Sequence, residues 1–169
     1  EAYEFLIKQG TVISKSFLNS ILVTFMGTAL GIMVTVLLAY TISRKELVGR
    51  KLIMLFVFFT MLFNGGMVPT YLMYTQIFHI KNTMWALLFP HLLVNGFNVL
   101  LVRTFFNENI PEVLLEAARI DGAGEISIFR NVVLPISKPI LATIGLLVGV
   151  GYWNDWYNGL LYLTNTKLF

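Results

Sequence analysis

Four apolar runs dominate this sequence, at about Phe17–Ile42, Leu52–Tyr74, Met84–Phe105 and Ile136–Leu163. A helix needs roughly 20 apolar residues to cross a hydrocarbon layer of about 30 Å, and each run is that long. In lipid an open sheet edge leaves backbone groups unpaired, so helices are the expected form. No run alternates with the period of a barrel strand. The expected fold class is therefore all-α, multi-pass transmembrane, with about four spans. Composition agrees. Hydrophobic residues make up 57% of the chain and charged residues 12%, where a soluble domain carries about 25% charged. There is no cysteine, so disulfides, a thiol nucleophile and a zinc–thiolate site are excluded. A net charge of +3 is too small to suggest nucleic acid.

Basic residues set the orientation, because they favour the cytoplasmic side. Arg44, Lys45, Arg50, Lys51, Arg103, Arg119, Arg130 and Lys138 fall on one side; only Lys8, Lys15, Lys81 and Lys167 fall on the other. The richer side is expected to be cytoplasmic. That gives an extracytoplasmic segment at 1–16, a transmembrane domain at 17–163 with a cytoplasmic loop at 107–135, and an outer segment at 164–169. Residues 1–16 are polar enough for a loop or a short surface helix and show no signal-peptide pattern.

The cytoplasmic loop carries the most patterned polar stretch, Glu116–Pro135, EAARIDGAGEISIFRNVVLP. Glu112, Glu116 and Arg119 fall on one face of a helix, and Val113, Ala117 and Ile120 on another. Pro111 suits the first turn of that helix, with Asn109 as a candidate cap. Asp121-Gly122 reads as its stop, since glycine adopts the left-handed conformation cheaply. A second short helix is expected from about Gly124, ended by Pro135.

Glu116-Ala117-Ala118, Gly122 after three further residues, and Val132-x-Leu134-Pro135 after nine more resemble the EAA loop of bacterial ABC-importer permease subunits. Val132 stands where isoleucine is usual. Phe58–Gly66 and Ala142–Leu163 resemble the carbohydrate-uptake, maltose-type branch, and within it the subunits for oligosaccharides and polysaccharide fragments. The resemblance implies a type I ABC importer permease (MetI-like) fold, commonly of six spans. With four runs here, a fragment lacking the first and last spans is expected. It implies the bacterial plasma membrane, with the lipid bilayer as surroundings. It implies two ABC ATPase subunits, a second permease subunit (the same or different) and an extracytoplasmic solute-binding protein as partners. It assigns ATPase coupling to Glu116, Ala117, Ala118, Asp121, Gly122, Leu134 and Pro135.

Polar residues within the runs are candidates for lining a path. His91, Asn95 and Asn98 share one helical face if the third run is a single helix; simple interhelical hydrogen bonding is the other reading. Trp153, Asn154 and Asp155 stand out in the fourth run, and Asp155 is its only acid. An acid at the membrane centre costs roughly 2.5–3.5 kcal/mol on insertion scales. A continuous helix places Asp155 about 26 Å from Lys138, towards the outer boundary. There it is either a solvated acid in an aromatic belt or a residue of the path. Asn64-Gly65-Gly66 with Pro69 interrupts the second run, and Pro90 the third. Gly27-x-x-x-Gly31 and Gly145-x-x-x-Gly149 either let helices approach closely or reflect the frequency of glycine in membrane helices.

Neither His91 nor His79 has ligand partners nearby in sequence, so no metal and no cofactor is expected. No phosphate-binding GxxxxGK[ST] loop and no HExxH or GxSxG constellation occurs. The chain is thus expected to be a transport permease rather than an enzyme, with ATP hydrolysed by a separate subunit. A secondary transporter of a small polar solute is the alternative; it needs ionisable groups at the midplane, where His91 and Asp155 lack evident partners. A membrane-embedded enzyme needs a catalytic cluster, and none is visible.

Overall fold

A computed structural model describes residues 10–90 and 93–164. Among the described residues there are helices and connecting turns and no strand. The first apolar run forms one continuous helix, α1 (Gly10–Ser43). Its start lies inside the segment expected to be extracytoplasmic. Ser14 and Ser20 sit comfortably there, because their hydroxyls donate to the carbonyls of Gly10 and Ser16 at 2.6 and 3.0 Å. The helix ends where the Ser43 hydroxyl turns back onto the Tyr40 carbonyl at 2.7 Å.

The other three runs are interrupted, the second and third at residues the sequence marks and the fourth where a continuous helix is expected. The second becomes α2 (Arg50–Leu62) and α3 (Met67–Ile77). They are parted by Asn64-Gly65-Gly66, where Gly66 has φ +84°, a conformation that favours glycine. The third becomes α4 (Trp85–Leu88) and α5 (Gly96–Asn109), broken around Pro90. The fourth becomes α8 (Lys138–Trp153) and α9 (Trp156–Tyr162), broken at Asn154-Asp155. The polar loop forms α6 (Glu112–Ile120) and α7 (Glu125–Ile136). Among the described residues, one helix is thus long and apolar enough by itself to cross a membrane, or up to three spans exist if each bent helix pair counts as one.

The chain gathers into two compact units, one of residues 1–30, 65–93 and 148–169, the other of residues 31–64 and 94–147. In the first, Tyr152 packs over Gly27 and its hydroxyl donates to the Leu88 carbonyl at 2.8 Å. Gly149 faces Thr28 on α1 in the same unit. Tyr162 is buried, with its ring 5.6 Å from that of Tyr71. In the second unit the core is Val36, Ala39, Ile42, Val99, Val102, Phe106, Ile128, Val133 and Ile144, all buried. Gly145 faces Ile32, and Gly96 lies against Met61 and the Val57 carbonyl. These glycines therefore do serve close helix approach. Many large apolar side chains point outward, among them Phe25, Leu52, Phe56, Leu62 and Leu146. An exposed apolar surface of this extent suits hydrocarbon or partner helices rather than water.

Candidate functional site

The loop at 107–135 folds as a helix, a glycine turn and a second helix. Pro111 takes the N-cap position of α6 with an extended ψ of 132°, so Glu112 is the first helical residue. Asn109 does not cap α6. It is the last residue of α5, and its side-chain amide donates to the Phe105 carbonyl at 3.1 Å. At the other end Gly122 has φ +80°. Its N–H donates to the Arg119 carbonyl at 3.0 Å, and the Ala123 N–H donates to that of Ala118 at 2.9 Å. This is the paired closure of a Schellman motif, which needs a residue that tolerates the left-handed region. Asp121 stands at the C-cap and is exposed.

Pro135 does not end α7, contrary to the sequence expectation. Ahead of it the helix widens into a π-turn at Phe129–Val133, where the Leu134 N–H reaches the Phe129 carbonyl. Proline's ring crowds the carbonyl four residues back, and a five-residue step moves the pairing pattern past it. The helix then runs on to Ile136 and bends by 80° into α8. Ser137 sits fully buried at that bend, its hydroxyl on the Val133 carbonyl at 2.6 Å.

The charged residues of the loop divide into bound and unbound. Glu112 accepts from Lys45 at 2.6 Å. Arg119 grips both oxygens of Glu46, at 2.7 and 2.8 Å, and donates from Nε to Glu125 at 2.9 Å. Tyr40 donates to the other oxygen of Glu125 at 2.8 Å. The Lys45 ammonium holds the Glu112 carboxyl below its usual range. The Tyr40 hydroxyl, and then Arg119, do the same for Glu125. Glu116 differs. It is exposed, and among the described residues it makes no ion pair or hydrogen bond. Beside it Ala117 is exposed, and Val113, Ile120 and Ile126 stand out into the surroundings, the last two 86% and 84% exposed. Leu115, on the opposite side of α6, is buried. Sequence reasoning found the faces of α6 but missed Tyr40, Lys45 and Glu46. Their partners lie tens of residues away, and nothing local marks them.

The other candidates separate as well. Asn95 and Asn98 do not lie on one face of a shared helix, because the helix starts only at Gly96. Asn95 has extended backbone, and its side chain caps α5 by accepting from the N–H groups of Phe97 and Asn98 at 2.9 and 3.3 Å. Asn98 is buried. His91 lies outside the described residues.

Trp153, Asn154 and Asp155 line a cleft of about 460 Å³ with Ser16, Asn19, Ser20 and Trp156. Trp153 meets Phe17 edge-on, with ring centroids 5.9 Å apart. Asn154 donates to the Val150 carbonyl at 2.9 Å. Asp155 caps α9, accepting from the Asn158 backbone at 3.2 Å and its amide at 2.7 Å. A cap cannot sit inside a continuous helix, so the fourth run breaks where the acid stands.

Fold and loop together define a helical membrane component that presents a polar loop whose Glu116 is exposed and unbound on α6. The chain belongs to the family described as binding-protein-dependent transport system inner membrane components, whose model matches residues 27–166. The fold is the type I importer permease (MetI-like) fold. Over 166 residues the chain is 42% identical to the polygalacturonan/rhamnogalacturonan transport system permease protein YtcP of Bacillus subtilis (strain 168), covering 98% of this chain and 57% of that protein. Over 158 residues it is 32% identical to the melibiose/raffinose/stachyose import permease protein MelC of the same organism, covering 92% and 57%. It is also similar to a chain in the crystal structure of a bacterial ABC transporter involved in the import of the acidic polysaccharide alginate, with a TM-score of 0.87 and 31% identity over 93% of this chain and 55% of that one. The chain thus spans about half the length of the curated relatives it matches.

Proposed function

We propose that this chain is part of the permease subunit of an ATP-driven importer. It helps form the path for a carbohydrate, an oligosaccharide or polysaccharide fragment, and couples to a separate ATPase subunit through Glu116–Pro135. One observation carries the coupling. Glu112 and Arg119 are spent on contacts within the chain, while Glu116 stays unbound beside exposed Val113, Ala117, Ile120 and Ile126. A small apolar face with a free acid on it, Glu116, and a second exposed acid, Asp121, at its end suits a groove that carries a basic group. The carbohydrate class is supported by the relatives, whose names specify polygalacturonan and rhamnogalacturonan, and melibiose, raffinose and stachyose. The working assembly has two such permease subunits, two ATPase subunits and an extracytoplasmic solute-binding protein. ATP binding closes the ATPase pair, the docked loops follow, and the path switches from inward- to outward-facing. This is a two-state change driven by differential contacts. Trp153, Asn154 and Asp155 are the best-placed path or outer-gate residues of this reading, because they border a cleft rather than only a helix face.

The test uses the full-length subunit in its assembled transporter. Losing one member of a buried charged pair costs about 2–5 kcal/mol. Glu116→Ala is therefore expected to lower ATPase co-purification while the subunit still inserts. A Cβ at Gly122 meets no neighbouring atom within 4 Å, so the backbone cost of Gly122→Leu is the roughly 1–2 kcal/mol of a side chain forced into the left-handed region. The variant is expected to weaken docking or uncouple hydrolysis from uptake. Wild-type ATPase binding and transport in both variants would remove this reading.

A further inference from the structure

The Gly122 turn is the weak point of a loop that has to pass on motion. A Cβ at Gly122 would touch nothing within 4 Å, so nothing packs against the turn on that side of Gly122. Stiffness across it has to come from elsewhere. Arg119, just before the turn, and Glu125, just after it, are joined at 2.9 Å. Glu125 also reaches α1 itself, and Arg119 reaches the turn that follows α1. Arg119 holds Glu46 through two parallel bonds of 2.7 and 2.8 Å, and Glu125 accepts from Tyr40 at 2.8 Å. Tyr40 is itself fixed. Its ring lies 4.9 Å from that of Phe129 on α7, and the Arg44 guanidinium sits 4.6 Å over it. The two loop helices are thus fastened to one another, to α1 at Tyr40, and to the turn after α1 at Glu46.

We infer that Tyr40, Glu46, Arg119 and Glu125 form a bracket that makes the two loop helices and the end of α1 move as one body. They are positioning residues for transport, distinct from the exposed face of α6 assigned to docking. The inference rests on the coupling role proposed for the loop. A lone exposed pair would be too weak for such work. Four groups that share one guanidinium and one carboxylate, with a two-pronged bond that fixes orientation, are better suited. The bracket crosses the glycine turn, and so removes the hinge that would otherwise absorb the stroke.

Tyr40→Phe and Glu46→Gln each remove one fastening and leave the docking face untouched. In liposomes holding the assembled importer, three quantities are read: ATPase co-purification, ATP hydrolysis, and solute imported per ATP. Co-purification and hydrolysis are expected to persist, while import per ATP falls roughly five-fold or more, the low end of measured coupling between sites. The double variant is expected to fall no further than the worse single one, because both open the same bracket. Glu46→Asp, which keeps the charge, is expected to recover most of the ratio. A wild-type ratio in both single variants overturns the bracket. So does a loss of co-purification in step with import, which would mean that these residues merely hold the loop's shape. The docking role fails separately: wild-type co-purification in Glu116→Ala counts against it whatever the bracket variants do.

Discussion

Tyr152 lies so close over Gly27 that a Cβ at position 27 would overlap its ring. The ring cannot easily give way, because its hydroxyl is held on the Leu88 carbonyl at 2.8 Å and the residue is buried. Overpacking of this kind costs typically about 1–3 kcal/mol. Gly27→Leu is therefore expected to lower the thermal midpoint of the purified transporter, measured by size-exclusion chromatography in detergent. Gly10→Leu, where a Cβ meets nothing within 4 Å, serves as the control and is expected to behave as wild type. Equal midpoints for the two variants would show that α1 does not need the close approach.

The loops at 43–51 and 107–135 are expected on the same, cytoplasmic side. The ion pairs Lys45–Glu112 and Arg119–Glu46 join them directly, which requires both to lie at one end of their unit. Single cysteines can be introduced cleanly, since the chain has none. An impermeant thiol reagent applied from outside is expected to label position 81 and to leave positions 45 and 125 unmodified. Labelling at 125 would sink the orientation.

Asp155 has two separable roles, since it caps α9 and also borders the cleft. Asp155→Ala loses both, with about 1 kcal/mol for the cap. Asp155→Asn retains a good cap and removes only the charge. Uptake is expected to fall in both variants with assembly intact. Recovery in Asp155→Asn would assign the residue to the cap alone, and unchanged uptake in Asp155→Ala would return it to the interfacial belt.

The loop should loosen in acid. Glu112 and Glu125 both have carboxyl groups held below the ordinary value of 4.5 in the folded chain. A depressed folded pKa adds stability above the unfolded pKa and loses it as pH falls through the folded one. The loop is therefore expected to be unaffected between pH 6 and pH 8, taken as about the neutral range, and to open only below the usual carboxylate range. Amide hydrogen exchange across α6 and the start of α7 reads this directly. Glu125→Gln is expected to show faster exchange already at neutral pH and a smaller change on acidification. An unchanged profile in that variant would show that the pairs do not hold the loop.

Length and polarity settled much of this molecule before any folding. An apolar run too long for a soluble core has to be helical in lipid, because its backbone can be satisfied only within itself. The spacing of Glu112, Glu116 and Arg119, and of Val113, Ala117 and Ile120, already separates two faces of α6, and Gly122 already marks its end. Those features are local, so three or four residues of chain are enough to state them. Tertiary structure decided the rest. It broke the third run so that Asn95 became a cap instead of a stripe beside His91, and it carried α7 through Pro135 on a π-turn. It also decided which acids of the loop are spent, Glu112 and Glu125, and left Glu116 free. Glu112 and Glu116 look alike in the sequence, one turn apart on one helix face. They differ only because the chain brings Lys45 back to one of them and nothing to the other, and a charge pairs with what is near in space rather than in sequence.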